Sequence, residues 1–153
     1  MRVTKILGVI ALTAMLSGVA LAAMTPQQQI EARQAGFKKI GGTFKALNDQ
    51  LHSPAPDKAQ IAALAGQLKS LTPSIPTWFP AGTGPEAGVK TAAKPEIWQK
   101  NAEFKADAKA LQGEVDKLAA IAGGGDIAAI TAQTKAVGAR CGACHNDFRQ
   151  KAS

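Results

Sequence analysis

Four segments of this chain place their apolar residues three and four positions apart, and alternating β-branched runs are absent. Steps of three and four stack side chains on one face of an α-helix, because a turn takes about 3.6 residues. The first stripe reads Ile30, Arg33, Phe37, Ile40, Phe44, Leu47, Leu51, and the second Ile61, Leu64, Leu68, Leu71. The third is Ile97, Phe104, Ala108, Leu111, Val115, Leu118, and the fourth Ile127, Ile130, Thr134, Val137, Cys141, Cys144, Phe148. Ala, Leu, Lys and Gln, which are good helix formers, dominate between them. Helices that are apolar on one stripe must bury those stripes against one another. The expected fold is therefore all-α, an antiparallel four-helix bundle.

Local signals set the boundaries. Thr25, Pro26 and Gln28 form a capping box with proline at the first helical position, opening a helix to about Leu51. Asp57 can cap a second helix that ends before Pro73. Pro95 opens the third, the glycines at 123–125 end it, and Asp126 caps the fourth. Between the second and third helices runs TPSIPTWFPAGTGPEAGVKTAAK, rich in Pro and Gly and longer than an ordinary bundle connection. Such a loop is usually functional or crosses the bundle.

The chain begins differently. Arg2 and Lys5 precede an uncharged apolar run that ends in Ala20-Leu21-Ala22, the small residues a signal peptidase accepts. Residues 1–22 are expected to be a cleavable export signal, with 23–153 as the bundle domain and the periplasm as its destination. The alternative, a membrane anchor, is disfavoured by a run at the short end of a span with no basic stop signal. Cleavage removes two of the +7 formal charges. The remaining lysines and arginines are spread along the chain, so no nucleic-acid-binding stripe emerges, and no stable membrane insertion is expected.

Export makes the two cysteines a chemical problem, because an oxidising compartment pairs free thiols unless something else consumes them. Both lie in the last helix, in Cys141-Gly142-Ala143-Cys144-His145. C-x-x-C-H is the pattern of covalent c-type haem attachment. On a helix the two sulfurs and the imidazole fall within an arc of about 100°, so each thiol can reach one vinyl group while His145 becomes the axial iron ligand. Three other uses stand against this one. A thioredoxin-like dithiol belongs at the start of a helix after a strand, and this pair has neither context. Structural zinc needs further ligands, and His52, the other histidine, sits near the end of helix one without a companion. A disulfide between residues three apart in mid-helix is geometrically poor.

Haem would also explain Arg33. A cation on a core stripe is costly unless paired, no acid occupies the stripes, and haem brings two propionates. Arg33 is the candidate propionate partner; the alternative is that it snorkels to solvent. One turn on, Phe37 faces the haem and cannot ligate iron. Met1 and Met15 leave with the leader, Met24 lies before the first helix cap, and His52 is at that helix's far end. The iron would then be held by His145 alone, under an apolar lid. Such a pocket disfavours anions and water and offers no donor to a polar ligand, so small neutral gases, NO and CO, are favoured. The alternative is core filling by Phe37, with a lysine or water as sixth ligand.

These residues resemble the cytochromes c′, the class II c-type cytochromes, in an exported four-helix bundle with C-x-x-C-H in its last helix. The segments EARQAGF, TWFPAGTG, KPEIW and VGARCGACHNDFRQK look like that family's, and the resemblance spans the mature chain. It implies one haem c bound covalently to Cys141 and Cys144, His145 as axial ligand, Arg33 at a propionate and Phe37 in the distal pocket. It also implies Arg149 beside the proximal face, one turn past His145, and a homodimer. Trp78 and Phe79 would cover a haem edge, the alternative being simple anchoring of the loop. The family includes low-spin members that recruit a methionine from helix one; this sequence has none there, and so looks high-spin. The expected function is gas binding at five-coordinate iron, with electron exchange with redox partner proteins as an addition. The competing reading is a six-coordinate electron carrier of a respiratory or photosynthetic chain. No acid–base or nucleophile–base pair rises above chance, so no enzyme is expected.

Overall fold

The computed structural model describes residues 24–151; the expected leader, 1–22, lies outside the described residues. Helix α1, Pro26–Leu51, opens on the reciprocal cap: Gln28 N donates to Thr25 Oγ1 at 3.3 Å, and Thr25 N donates to Gln28 Oε1 at 2.9 Å. Helix α2, Lys58–Leu71, begins where Gln60 N donates to Asp57 Oδ1 at 3.0 Å. The third expected helix is divided. A single turn, α3 (Glu96–Gln99), is followed at Lys100, with φ −113° and ψ 44°, by a break before α4 (Asn101–Ala122). The turn is re-aimed because it is tied elsewhere: Trp98 Nε1 donates to the Phe79 and Pro80 carbonyls at 3.2 and 3.1 Å. Helix α5, Ile127–Phe148, starts at Asp126, whose Oδ1 accepts from the amides of Ala128 and Ala129. Gly125 makes the turn before it in the left-handed region, at φ 69°, which glycine adopts without steric cost.

The four long helices form the expected antiparallel bundle. α1 packs on α2, α2 on α4 and α4 on α5, whereas α1 and α5 hardly touch. At one end the stripes close on each other. Leu47, Ile61, Leu118 and Ile130 are completely buried there, and Leu68, Val115 and Val137 nearly so. Burying each such side chain contributes roughly 1.5–3 kcal/mol. In α2 the stripe shifts by one position: Ala65 is fully buried while Leu64 is only partly so.

At the other end the long connector takes the place of a fourth wall. Rather than crossing the bundle, it folds into a 3₁₀ turn over Thr72–Trp78 and a second over Pro85–Ala87. Ile75 and Phe79 point inward from it and are buried. The chain's end ties the connector down: Lys94 N donates to Phe148 O at 3.0 Å and Gln150 N to Ala92 O at 2.8 Å, bridging Ala93 and Arg149 in antiparallel fashion.

Candidate functional site

Where α1 and α5 stand apart, a cavity of about 510 Å³ opens between the N-terminal half of α1, the start of α4 and the last turns of α5. Its size falls in the range of small-molecule and cofactor sites. Phe37, Ile40 and Phe44 supply the α1 wall, Phe104, Ala108 and Leu111 the α4 wall, and Ile75, Phe79 and Ala93 the connector. From α5 come Cys141, Cys144 and His145, with Phe148 and Arg149 beyond them.

The C-x-x-C-H triplet thus sits on one wall of one cavity. Both thiols are free and half-buried, and His145 is exposed at the mouth. Burial raises the Cys141 thiol. Cys144 is pushed up to about 11, by burial first and then by Asp107, Cys141 and Asp147. Reactive dithiols need the opposite, a stabilised thiolate at a helix start, and these lie in the last two turns of a helix. His145 shifts downward, by desolvation first and then by the charge of Arg149, which favours the neutral imidazole that ligates metals. Among the described residues no group of three or more His, Cys, Asp or Glu could hold a bare metal ion, so the zinc alternative lacks its ligands.

Arg33 does not snorkel; it is only 2% exposed. Its Nη2 donates to Thr83 O at 2.9 Å and Thr91 Oγ1 at 3.0 Å, and its Nη1 to Thr83 Oγ1 at 3.2 Å. The guanidinium lies 4.7 Å over the Phe79 ring and 5.9 Å from that of Trp98. Burial lowers its pKa, an effect that Glu86 partly opposes. A guanidinium has five N–H groups, and these bonds take three of them. The sequence reading missed Thr83 and Thr91, because the loop that carries them has no periodicity. Gln34, next along α1, also holds this loop through Lys90 O at 3.0 Å.

Phe37 is half-buried on the cavity wall. Trp78, which the resemblance implied at a haem edge, does not line the cavity. It stands behind Phe37, edge-on at 5.1 Å, while its neighbour Phe79 lines the cavity. Arg149 reaches the cavity from one turn past His145, its backbone N–H donating to His145 O at 3.1 Å as the C-cap of the helix. α5 ends at Phe148, and Arg149 is extended, bridged to Ala93. Neither Met24 nor His52 lines the cavity: Met24 is exposed before α1, and the His52 ring is hydrogen-bonded to Asn48 O at 2.7 Å at the helix's far end. Lys38 lies at the rim, exposed.

A cavity of this size, with two unpaired thiols and an imidazole on one wall, a buried arginine at its rim and aromatic rings opposite, fits a covalently held haem. Fold and site together define a bundle-type c cytochrome. A family model described as Cytochrome C' matches residues 28–149. The cytochrome c′ of Pararhodospirillum photometricum is 35% identical over 127 residues, which cover 82% of this chain and 99% of that one. A solved cytochrome c′ described as having an unusual ligand-controlled dimer dissociation superposes with TM-score 0.80 at 30% identity, covering 85% of this chain and all of that one. Two variants of the Alcaligenes xylosoxidans cytochrome c prime, both 34% identical, were solved with ligands. The nitric oxide complex gives TM-score 0.74 with 82% and 97% of the two chains covered, and the carbon monoxide form 0.75 with 83% and 98%. The chain belongs to the cytochrome c′ family, and covalently bound haem c is its cofactor. It is a haem-binding cytochrome.

Proposed function

We propose that this cytochrome works in the periplasm, after removal of residues 1–22, as a high-spin protein that binds small neutral gases, NO and CO. In this reading Cys141 and Cys144 anchor the haem through thioethers, His145 alone ligates the iron, Arg33 takes a propionate and Arg149 flanks the proximal side. When bound, the haem supplies an iron with one coordination position left for an exogenous ligand.

The observation that carries the reading is the α1 wall. Phe37, Ile40 and Phe44 offer no group that can ligate iron, Met24 and His52 lie away from the cavity, and Lys38 stands exposed at its rim. The wall also decides what may approach. Phe37 keeps water from the apolar interior and must yield to any ligand, and an anion set against Phe37, Ile40 and Phe44 would find no hydrogen-bond partner in them. The nitric oxide and carbon monoxide complexes of the Alcaligenes relative support this ligand class. A homodimer is the expected assembly, by likeness to the relative described as dissociating under ligand control.

The test is the optical and electron paramagnetic resonance spectrum of the purified protein, oxidised and dithionite-reduced, with and without carbon monoxide. High-spin signals and a broad reduced band that shifts with the gas are expected. A sharp low-spin spectrum indifferent to carbon monoxide would overturn the reading and favour a six-coordinate electron carrier.

A further inference from the structure

Against Phe37 stand two aromatic side chains held in different ways. Phe79 is fixed from several sides: Phe104 meets it edge-on at 4.9 Å, Trp98 at 5.9 Å, and the Arg33 guanidinium covers it at 4.7 Å. Phe79 therefore cannot give way without disturbing the core. Trp78 is half-buried, meets Phe37 edge-on with an interplanar angle of 83°, and ends the turn stiffened by Pro73 and Pro76.

What seats the indole is a missing atom. A Cβ added to Gly36 would lie 2.6 Å from Trp78 Cη2, 2.8 Å from Cζ2 and 3.0 Å from Cζ3, so the six-membered ring rests directly on the α1 backbone. Gly36 in mid-helix costs about 0.5–1 kcal/mol relative to alanine. The close approach of an indole gives that glycine a reason. It also places a rigid plate beside the side chain that a distal ligand must displace.

Building on the gas-binding reading, we infer that Trp78, seated in the notch of Gly36, is the backstop that limits how far Phe37 can yield and so sets the rate at which gases reach the distal face. Trp78 is a positioning residue in this scheme: it acts through Phe37 and does not itself line the cavity. On the helix Phe37 has few staggered alternatives. Removing the indole gives its ring a place to go, whereas removing Phe37 leaves the indole nothing to restrain.

The experiment measures carbon monoxide association with the ferrous holoprotein by stopped flow, for wild type, Trp78→Ala, Phe37→Ala and the double variant. Trp78→Ala is expected to speed association by about tenfold, and to add nothing in the Phe37→Ala background, because the two act in series. An unchanged rate in Trp78→Ala, or effects that simply add, would overturn the backstop. A second cycle needs no gas. Gly36→Ala should lower the denaturation midpoint when Trp78 is present and not when it is alanine; an equal loss in both backgrounds would remove the notch from the argument. Failure of wild type to bind carbon monoxide at all would overturn the gas-binding reading and the gate with it, while the second cycle would still report the contact.

Discussion

The two ends of the bundle are built from the same helices with the same three-four spacing, yet they are filled by different things. At the closed end, Leu47, Ile61, Leu118 and Ile130 meet side chain to side chain. At the open end the stripes continue through Phe37, Phe104 and Cys141, but α1 and α5 part, and the space between them is a cavity of a size that fits the cofactor. The difference teaches that an apolar stripe specifies a buried face without specifying what buries it. A helix's own partner helix and a prosthetic group leave the same mark on the sequence, and motif residues set into the stripe tell them apart.

Four experiments test that contrast. The largest effect should come from the open end: with Cys141→Ala and Cys144→Ala together, acid–acetone extraction should remove all the haem, where the wild type keeps its colour. Retention by the double variant would contradict thioether anchoring at these positions. At the closed end, Leu118→Ala leaves a void that no cofactor fills and should cost about 2–5 kcal/mol in denaturant unfolding, with the carbon monoxide spectrum unmoved; a changed spectrum would mean that the two ends are not independent.

Phe37→Ala reverses the pattern. Gas association should quicken by about tenfold in a stopped-flow measurement, and unchanged kinetics would strike the steric lid from the account. The smallest effect concerns the closed end's polar seam. Gln133 Nε2 donates to Glu114 Oε2 at 2.7 Å and to Glu114 O at 2.9 Å, joining α5 to α4. These bonds, Gln133's first and then Lys117's, hold the Glu114 carboxyl below its ordinary value. The folded state thus favours the ionised form. Its contribution is complete above the ordinary carboxylate range and declines as pH falls through that range toward the lower folded value. Glu114→Gln should flatten that part of the stability–pH curve, and a curve identical to the wild type's would show that the seam adds nothing.

Most of the scaffold was legible in the residues. Thr25, Asp57 and Asp126 cap where their side chains predict, and the glycines before Asp126 end a helix. The break at Lys100 was not legible, because its cause is a bond from Trp98 to a loop nineteen residues earlier. Of the candidate site, the C-x-x-C-H triplet, Arg33 and Phe37 were readable, since a motif or a misfit on a stripe marked each one. Thr83 and Thr91, which hold the Arg33 guanidinium, were not legible, because an aperiodic connector gives no rule for which side chain turns inward, and Phe79 was expected near the haem only by resemblance. Trp78 and Phe79 are adjacent and both aromatic, so only the packing on Gly36 decides which of them stands behind the other.

The cavity's two principal walls are the first and last helices of the bundle. Joining them closes a loop of about a hundred residues, a slow and entropically costly step compared with docking α4 against α5, which are neighbours in sequence. The hairpin of α4 and α5 can therefore present both thiols before α1 arrives to cover them. Until it does, the two sulfurs stand on a helix face without the wall that Phe37 and Ile40 supply.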